Sequence, residues 1–259
     1  MFDYMLAVLN DTIDQRVHND LMDFHVKTCN RVDKKINPFN FNRTLLTDGQ
    51  NRMLEWSEHR FGNVKRELRN DEILHSFHRV PSSSGFSACS PLSGDVFSAL
   101  INSCYGAHRS GERIIMPYPS GGALYSGQVI IYVKNISNFQ PGAYHFLPLS
   151  GEIESLSALS IKVVEESLFI GKNDKFSDYD FFILYGSVIT KHAAKYGYRG
   201  YRLAMLEIGS MYRNMEIACN TLELDNRVWG GFNDEALTVA LGLDPRVILP
   251  VVCQLVGRS

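Results

Sequence analysis

Residues 203–222 place Leu203, Met205, Leu206, Ile208, Met211, Met215, Ile217 and Ala218 around nearly the whole circumference of a helix. A helix that is apolar on every side must be enclosed, so this segment predicts a core helix with other elements packed around it. Gly209-Ser210 at its middle costs stability unless another backbone approaches closely there. A chain of 259 residues can supply such a core in one large domain or two small ones. Hydrophobic residues at 45% and charged residues at 21% match ordinary globular usage.

Around that helix the pattern predicts strands at 129–133, at 142–147 with Pro148 closing it, at 180–188 and at 246–255. A helix is predicted over 11–29, with Ile13, Val17, Leu21, Phe24 and Val26 on its apolar face, and another over 50–60. Residues 37–42 read as an irregular loop between them. Further helices run from Ser93 as N-cap to Gly106, and over 235–241 with Asp234 as cap. No βαβ rhythm connects these elements, which predicts one α+β domain with a central sheet flanked by helices.

The formal net charge of −2 gives no general pull toward nucleic acid or anionic membrane. Five cysteines, widely spaced and without a Cys-x-x-Cys pair, predict neither a disulfide framework nor a thiolate metal site and suit a reducing compartment. The histidines, including His75-x-x-His78 and the isolated His25 and His192, form no zinc pattern and read as surface or core-edge residues. No metal is expected. The start of the chain lacks a basic lead and no apolar run is long enough for a bilayer, so a cytoplasmic location is expected.

Three short segments carry chemistry. In Pro119-Ser120-Gly121-Gly122-Ala123 two glycines let backbone N–H groups approach a flat or anionic ligand without a Cβ in the way, although a tight turn has the same composition. In Lys195-Tyr196-Gly197-Tyr198-Arg199 two proton-transfer groups stand side by side on a glycine-jointed loop, next to a guanidinium. A solvated lysine beside a packed tyrosine, or a basic aromatic strip for single-stranded nucleic acid, fits that spacing too. In Trp229-Gly230-Gly231-Phe232 aromatic groups around a glycine pair suit the edge of a ring system, or simply a turn before a capped helix.

Taken in order, these segments resemble the nitroreductase superfamily, and within it the azoline dehydrogenases of thiazole/oxazole-modified peptide biosynthesis. The resemblance rests on residues 117–125, 144–150, Lys195-Tyr196, residues 198–202, Glu207, residues 209–212 and 226–229. It is dense over 117–258, loose over 81–116 and slight over 1–80. It implies a nitroreductase-like fold with a mixed or antiparallel sheet over 81–259, preceded by a helical region over 1–80 available for partner or peptide contacts. It further implies a homodimer with FMN at the interface. The implied reaction oxidises a thiazoline or oxazoline on a ribosomally made precursor peptide to the aromatic azole.

In that chemistry one ring carbon loses a proton while its neighbour delivers a hydride to the flavin. The resemblance makes Lys195 the base and Tyr196 its proton partner or orienter, with Arg199 as a nearby cation. It puts Pro119, Ser120, Gly121, Gly122 and Ala123 against the flavin ring and ribityl chain, and Gly230 and Gly231 at the ring's edge. Where many relatives have an arginine-rich stretch this chain has Ser82-Ser83-Ser84, so the phosphate is expected on Ser82, Ser84, backbone N–H groups and Arg258. Implied partners are the cyclodehydratase subunits (a zinc-containing leader-peptide-binding protein and an ATP-dependent cyclodehydratase) and the precursor peptide. A general NAD(P)H-dependent nitro or quinone reductase and a non-catalytic scaffold subunit remain the alternatives.

Overall fold

A computed structural model describes residues 13–29, 47–50, 52, 79–170 and 176–259. In chain order the helices are α1 (Gln15–Thr28), α2 (Gly94–Tyr105), α3 (Ile161–Leu168), α4 (Thr190–Tyr196), α5 (Arg199–Thr221) and α6 (Asp234–Ala240). The strands are β1 (His108–Ser110), β2 (Arg113–Ile115), β3 (Gly127–Val133), β4 (Gly142–Leu147), β5 (Glu152–Ser155), β6 (Phe181–Ser187), β7 (Asp225–Trp229) and β8 (Leu249–Gly257). The main sheet has the order β5-β4-β3-β6-β8-β7. Every pairing in it is antiparallel, which resolves the mixed-or-antiparallel expectation.

Strand alternation sorts the core onto two faces. Val129, Ile131 and Val133 of β3, with Phe181, Ile183 and Tyr185 of β6, meet α2 and α5 through Phe97, Ile101, Ile208, Met211 and Met215. The intervening Ile130, Tyr132, Phe182 and Leu184 meet α3 and α6 through Val164, Leu168 and Leu237. β6 is therefore buried at all its positions, which explains its unbroken apolar run. Two tyrosines in this core are satisfied by a polar chain: Tyr185 Oη lies 2.5 Å from Tyr105 Oη and donates to Gln254 Oε1 at 2.7 Å. Gln254 in turn donates to Asn226 Oδ1 at 3.0 Å.

Several expected elements shift. α1 buries Leu21 and His25, spaced one turn apart, while Phe24 and Val26 face out, so its inward stripe runs through a histidine instead of a phenylalanine. Leu21 packs in a cluster with Ile189, Ala193, Ala204 and Leu249, which docks α1 on the domain. The helix expected over 50–60 and the loop over 37–42 lie almost wholly outside the described residues. α6 is capped by Asn233, whose Oδ1 accepts the Ala236 N–H, and not by Asp234. Residues 246–248 form a turn, and β8 starts only at Leu249. α5 is enclosed on one side only: Leu206 is 70% exposed, Ile217 is 40% exposed, and Gly209 has only the Tyr212 ring, at 4.0 Å, near its open position. Among the described residues no helix is long and apolar enough to cross a membrane.

Candidate active site

The Lys195-Tyr196 pair forms the last turn of α4 and not a free loop. Gly197 then reverses the backbone at φ +55°, and α5 begins at Arg199. Gly200 lets the two helices cross closely, because a Cβ there would sit 2.7 Å from the His192 carbonyl oxygen. The dyad is thereby fixed in a helical hairpin whose second arm crosses the sheet.

Opposite it stands the Pro119–Ala123 segment, a single 3-10 turn (Gly121–Ala123) in which Gly122 has φ +68°. Both head groups of the dyad converge on Gly122. A Cβ at that position would run into the Tyr196 hydroxyl and come within 3.0 Å of Lys195 Nζ. Lys195 Nζ also lies 5.4 Å from the centroid of the Tyr196 ring, in cation–π reach. Gly122 and Ala123 are exposed, so an open backbone surface lies beside two proton-transfer groups. Gly121 packs on the Leu203 side chain of α5.

Beneath the turn lies Glu207 of α5, which is 1% exposed. Its Oε1 accepts the Gly127 N–H at 2.6 Å and its Oε2 accepts the Ser120 hydroxyl. Burial raises its carboxyl above the ordinary 4.5, against the opposing pull of Ser120, Gly127 and Lys191. Burial likewise lowers the Lys191 amine and the His192 imidazole. A carboxyl raised in the folded state contributes stability that is complete at acid pH and is lost as pH rises through the raised value. The melting temperature of the wild type should therefore fall relative to that of Glu207→Gln as pH rises above the ordinary carboxyl value of 4.5 toward neutrality. Parallel melting curves across that range would show that the carboxyl is not raised.

The remaining expected ligand residues stand elsewhere. Gly127 of β3 pairs with Ser187 of β6, which pairs with Leu249 of β8, so the dyad and the glycine turn share that end of the sheet. Arg258 follows the other end of β8, nine residues and about 30 Å away at the usual rise per residue. Its Nε and Nη2 form a bidentate pair with the Asp180 carboxylate at 3.0 and 2.9 Å, and Nη2 also donates to the Ser90 carbonyl. Ser82 and Ser84 are exposed in the same region, where the Ser83 N–H bonds the Asn226 carbonyl at 3.0 Å and Arg79 Nη2 donates to Ser82 Oγ. Gly230, at the end of β7, has no atom within 4 Å of a notional Cβ, while Gly231 packs on the Trp229 ring. These are the features a flat ring and a phosphate require: open glycine backbone for the one, hydroxyls and a held guanidinium for the other. They fit FMN, divided between the two ends of the sheet.

Arg199 lines a shallow groove with Leu21, Phe24, Tyr198, Tyr201 and Arg202 on the outer side of the hairpin. His192 is fully buried, not a surface or core-edge residue, and its ring stacks on that of Tyr196 at 6.4 Å between centroids. The sequence pattern gave no role to Lys191, His192 or Glu207. The signal for Lys191 and His192 lay in helical spacing, since positions 191, 192, 195 and 196 fall on one face of α4, while Glu207 entered only among the residues that carry the resemblance.

No protein-family model matches the chain. It is 34% identical over 194 residues to the microcin B17-processing protein McbC of Escherichia coli, covering 73% of this chain and 71% of that protein. Its fold superposes with a TM-score of 0.85 and 29% identity on a chain of the E. coli microcin synthetase McbBCD complex solved with truncated pro-MccB17 bound, covering 98% and 97% of the two chains. A nitroreductase of Desulfovibrio desulfuricans, solved in complex with FMN, matches at a TM-score of 0.50 with 13% identity over 73% of this chain and 87% of that one. This antiparallel sheet with its crossing helices is a nitroreductase-like fold, and the chain belongs to the azoline dehydrogenase family of FMN-dependent oxidoreductases within the nitroreductase superfamily.

Proposed function

We propose that the protein is the dehydrogenase subunit of a heterocycle synthase, acting on thiazoline or oxazoline rings that a cyclodehydratase has already formed on a precursor peptide. The observation that carries this reading is the convergence of Lys195 Nζ and the Tyr196 hydroxyl over the open backbone of Gly122. FMN, when bound, supplies the two-electron oxidant. Lys195 removes the proton from the ring carbon that bears the peptide carbonyl, and Tyr196 orients the amine and shares the proton. Lys195 is exposed in the single chain, so its desolvation falls to the bound substrate, the flavin and a second subunit.

Residues 119–123 and Gly230-Gly231 would hold the flavin ring and ribityl chain. Ser82, Ser84 and Arg258, the last oriented by Asp180, would hold the phosphate. The division of these residues between opposite ends of the sheet supports a homodimer in which each flavin is held by both subunits. The exposed Leu206 and Ile217 and the open Gly209 on α5 support it too, since they restore the enclosed helix that the sequence pattern requires. Partners would be the zinc-containing leader-peptide-binding protein and the ATP-dependent cyclodehydratase, in the cytoplasm, with the region before residue 81 contributing contacts to them. The McbBCD complex with its bound pro-MccB17 supports an assembly of this kind.

Purified with those partners and given precursor peptide, the protein should be yellow and dimeric, and each azoline ring should lose two hydrogens. A colourless protein that leaves azolines unoxidised after flavin is added would overturn the reading.

A further inference from the structure

A single buried carboxylate ties down both ends of the loop that presents Gly121 and Gly122. Glu207 Oε1 holds the Gly127 N–H, its Oε2 holds the Ser120 hydroxyl, and the same Ser120 Oγ accepts the Tyr125 N–H at 2.9 Å. Between these anchors three residues adopt left-handed backbone: Gly122 at φ +68°, Ala123 at +54° and Tyr125 at +46°. For a residue with a Cβ that conformation is unfavourable and persists only where its surroundings over-determine it. Clusters of such residues point to a backbone held in place for a purpose.

Helix α4 supports the loop from the same side. Lys191 Nζ donates to the Tyr125 carbonyl at 2.7 Å. His192 packs against the Gly121 backbone, with Nε2 lying 3.8 Å from Glu207 Oε2. One helical turn further on, the same face carries Lys195 and Tyr196, and the His192 and Tyr196 rings stack with 29° between their planes. The glycine turn and the dyad are thus both referenced to one buried point. That point is a carboxylate whose burial works against it. An apolar side chain would fill the space without that cost, but it would release Ser120 and Gly127.

We infer that Glu207, backed by His192 and Lys191, is the positioning residue of this active site. It sets where the Gly121–Gly122 backbone stands beneath the dyad, and so where Lys195 Nζ and the Tyr196 hydroxyl meet the substrate. The inference rests on the reading of Lys195 and Tyr196 as the catalytic pair.

The test is a double-mutant cycle in the assembled synthase with azoline-containing peptide, using Glu207→Gln, Tyr196→Phe and the double variant. Glu207→Gln keeps the shape and one acceptor but turns half of the carboxylate into a donor. It should cut kcat about 30-fold, within the range expected for a misplacement of order 1 Å, and change KM less than about threefold. It should also weaken flavin retention about 10-fold, read by fluorescence of released FMN without turnover, as expected for a loosened contact loop. In the Tyr196→Phe background the same substitution should cost less than about 10-fold, because the share of its effect that acts through the Tyr196 hydroxyl is already lost while the share that acts through Lys195 remains.

Rates and flavin retention within threefold of wild type would overturn the inference, as would losses that multiply in the double variant. If Glu207→Gln does not fold, Ser120→Ala cuts the same link from the loop side and must show the same non-additivity, or the inference fails. Wild-type activity in Tyr196→Phe alone would bring down the dyad reading and this inference with it, and that outcome is visible before Glu207 is changed.

Discussion

Lys195→Ala should stop azoline oxidation almost completely while leaving a folded, yellow, dimeric protein. The loss should be about 10²- to 10⁴-fold in kcat, the range for removing a positioned general base. Tyr196→Phe should lose about 10- to 100-fold, since it keeps the ring but not the hydroxyl that lies over Gly122. Both side chains leave the last turn of α4, where Gly197 ends the helix, and neither contributes to the buried core, so neither substitution opens a cavity. What each removes is a proton-transfer group beside an open backbone surface. Mass analysis of the peptide after incubation with the assembled synthase reads the outcome ring by ring. Oxidation at the wild-type rate in Lys195→Ala would mean that another group takes the proton.

Gly122→Ala should be nearly as damaging, by a different route. The backbone at φ +68° favours glycine, and a methyl group there would collide with the Tyr196 hydroxyl and crowd Lys195 Nζ at 3.0 Å. Either the turn or the dyad must move. The turn lies on the surface, so the stability cost should stay within about 1–3 kcal/mol. The rate should fall about 100-fold, because a shift of about 1 Å separates the dyad from its substrate. A second signature distinguishes this variant from Lys195→Ala. Gly122→Ala should also release flavin on dilution, whereas the lysine variant should keep it. If Gly122→Ala holds flavin and turns over normally, the turn is not the surface on which the reaction takes place.

Much of the fold was legible because the strong elements are locally consistent. β4 falls where its pattern predicts, β3 and β6 lie within the predicted runs or extend them by two residues, and the long helix only begins four residues early. Harder to see were elements whose identity depends on what covers them. β5 and β7 are edge strands with half-exposed, polar sequences, and α4 is too short to show a full amphipathic period. Missing α4 had a direct consequence: Lys195 and Tyr196 looked like loop residues, and their helical relation to Lys191 and His192 could not be seen. His25 and His192 were misplaced for a related reason, since a histidine carries no burial signal of its own. The apolar circumference of α5 predicted more enclosure than one chain provides, and the second subunit of the proposed dimer would supply the rest.

The placement of the dyad and Arg258 at opposite ends of β8 has a genetic consequence. In a homodimer of the kind proposed, no chain owns an active site; each lends its proton-transfer groups to one flavin and its phosphate-binding groups to the other. A defective dyad and a defective phosphate end, carried on two different copies of the gene, would combine into mixed dimers with one ruined site and one intact site. Two inactive proteins would then restore part of each other's function, and selection would act on the pair of surfaces as a shared possession of both subunits.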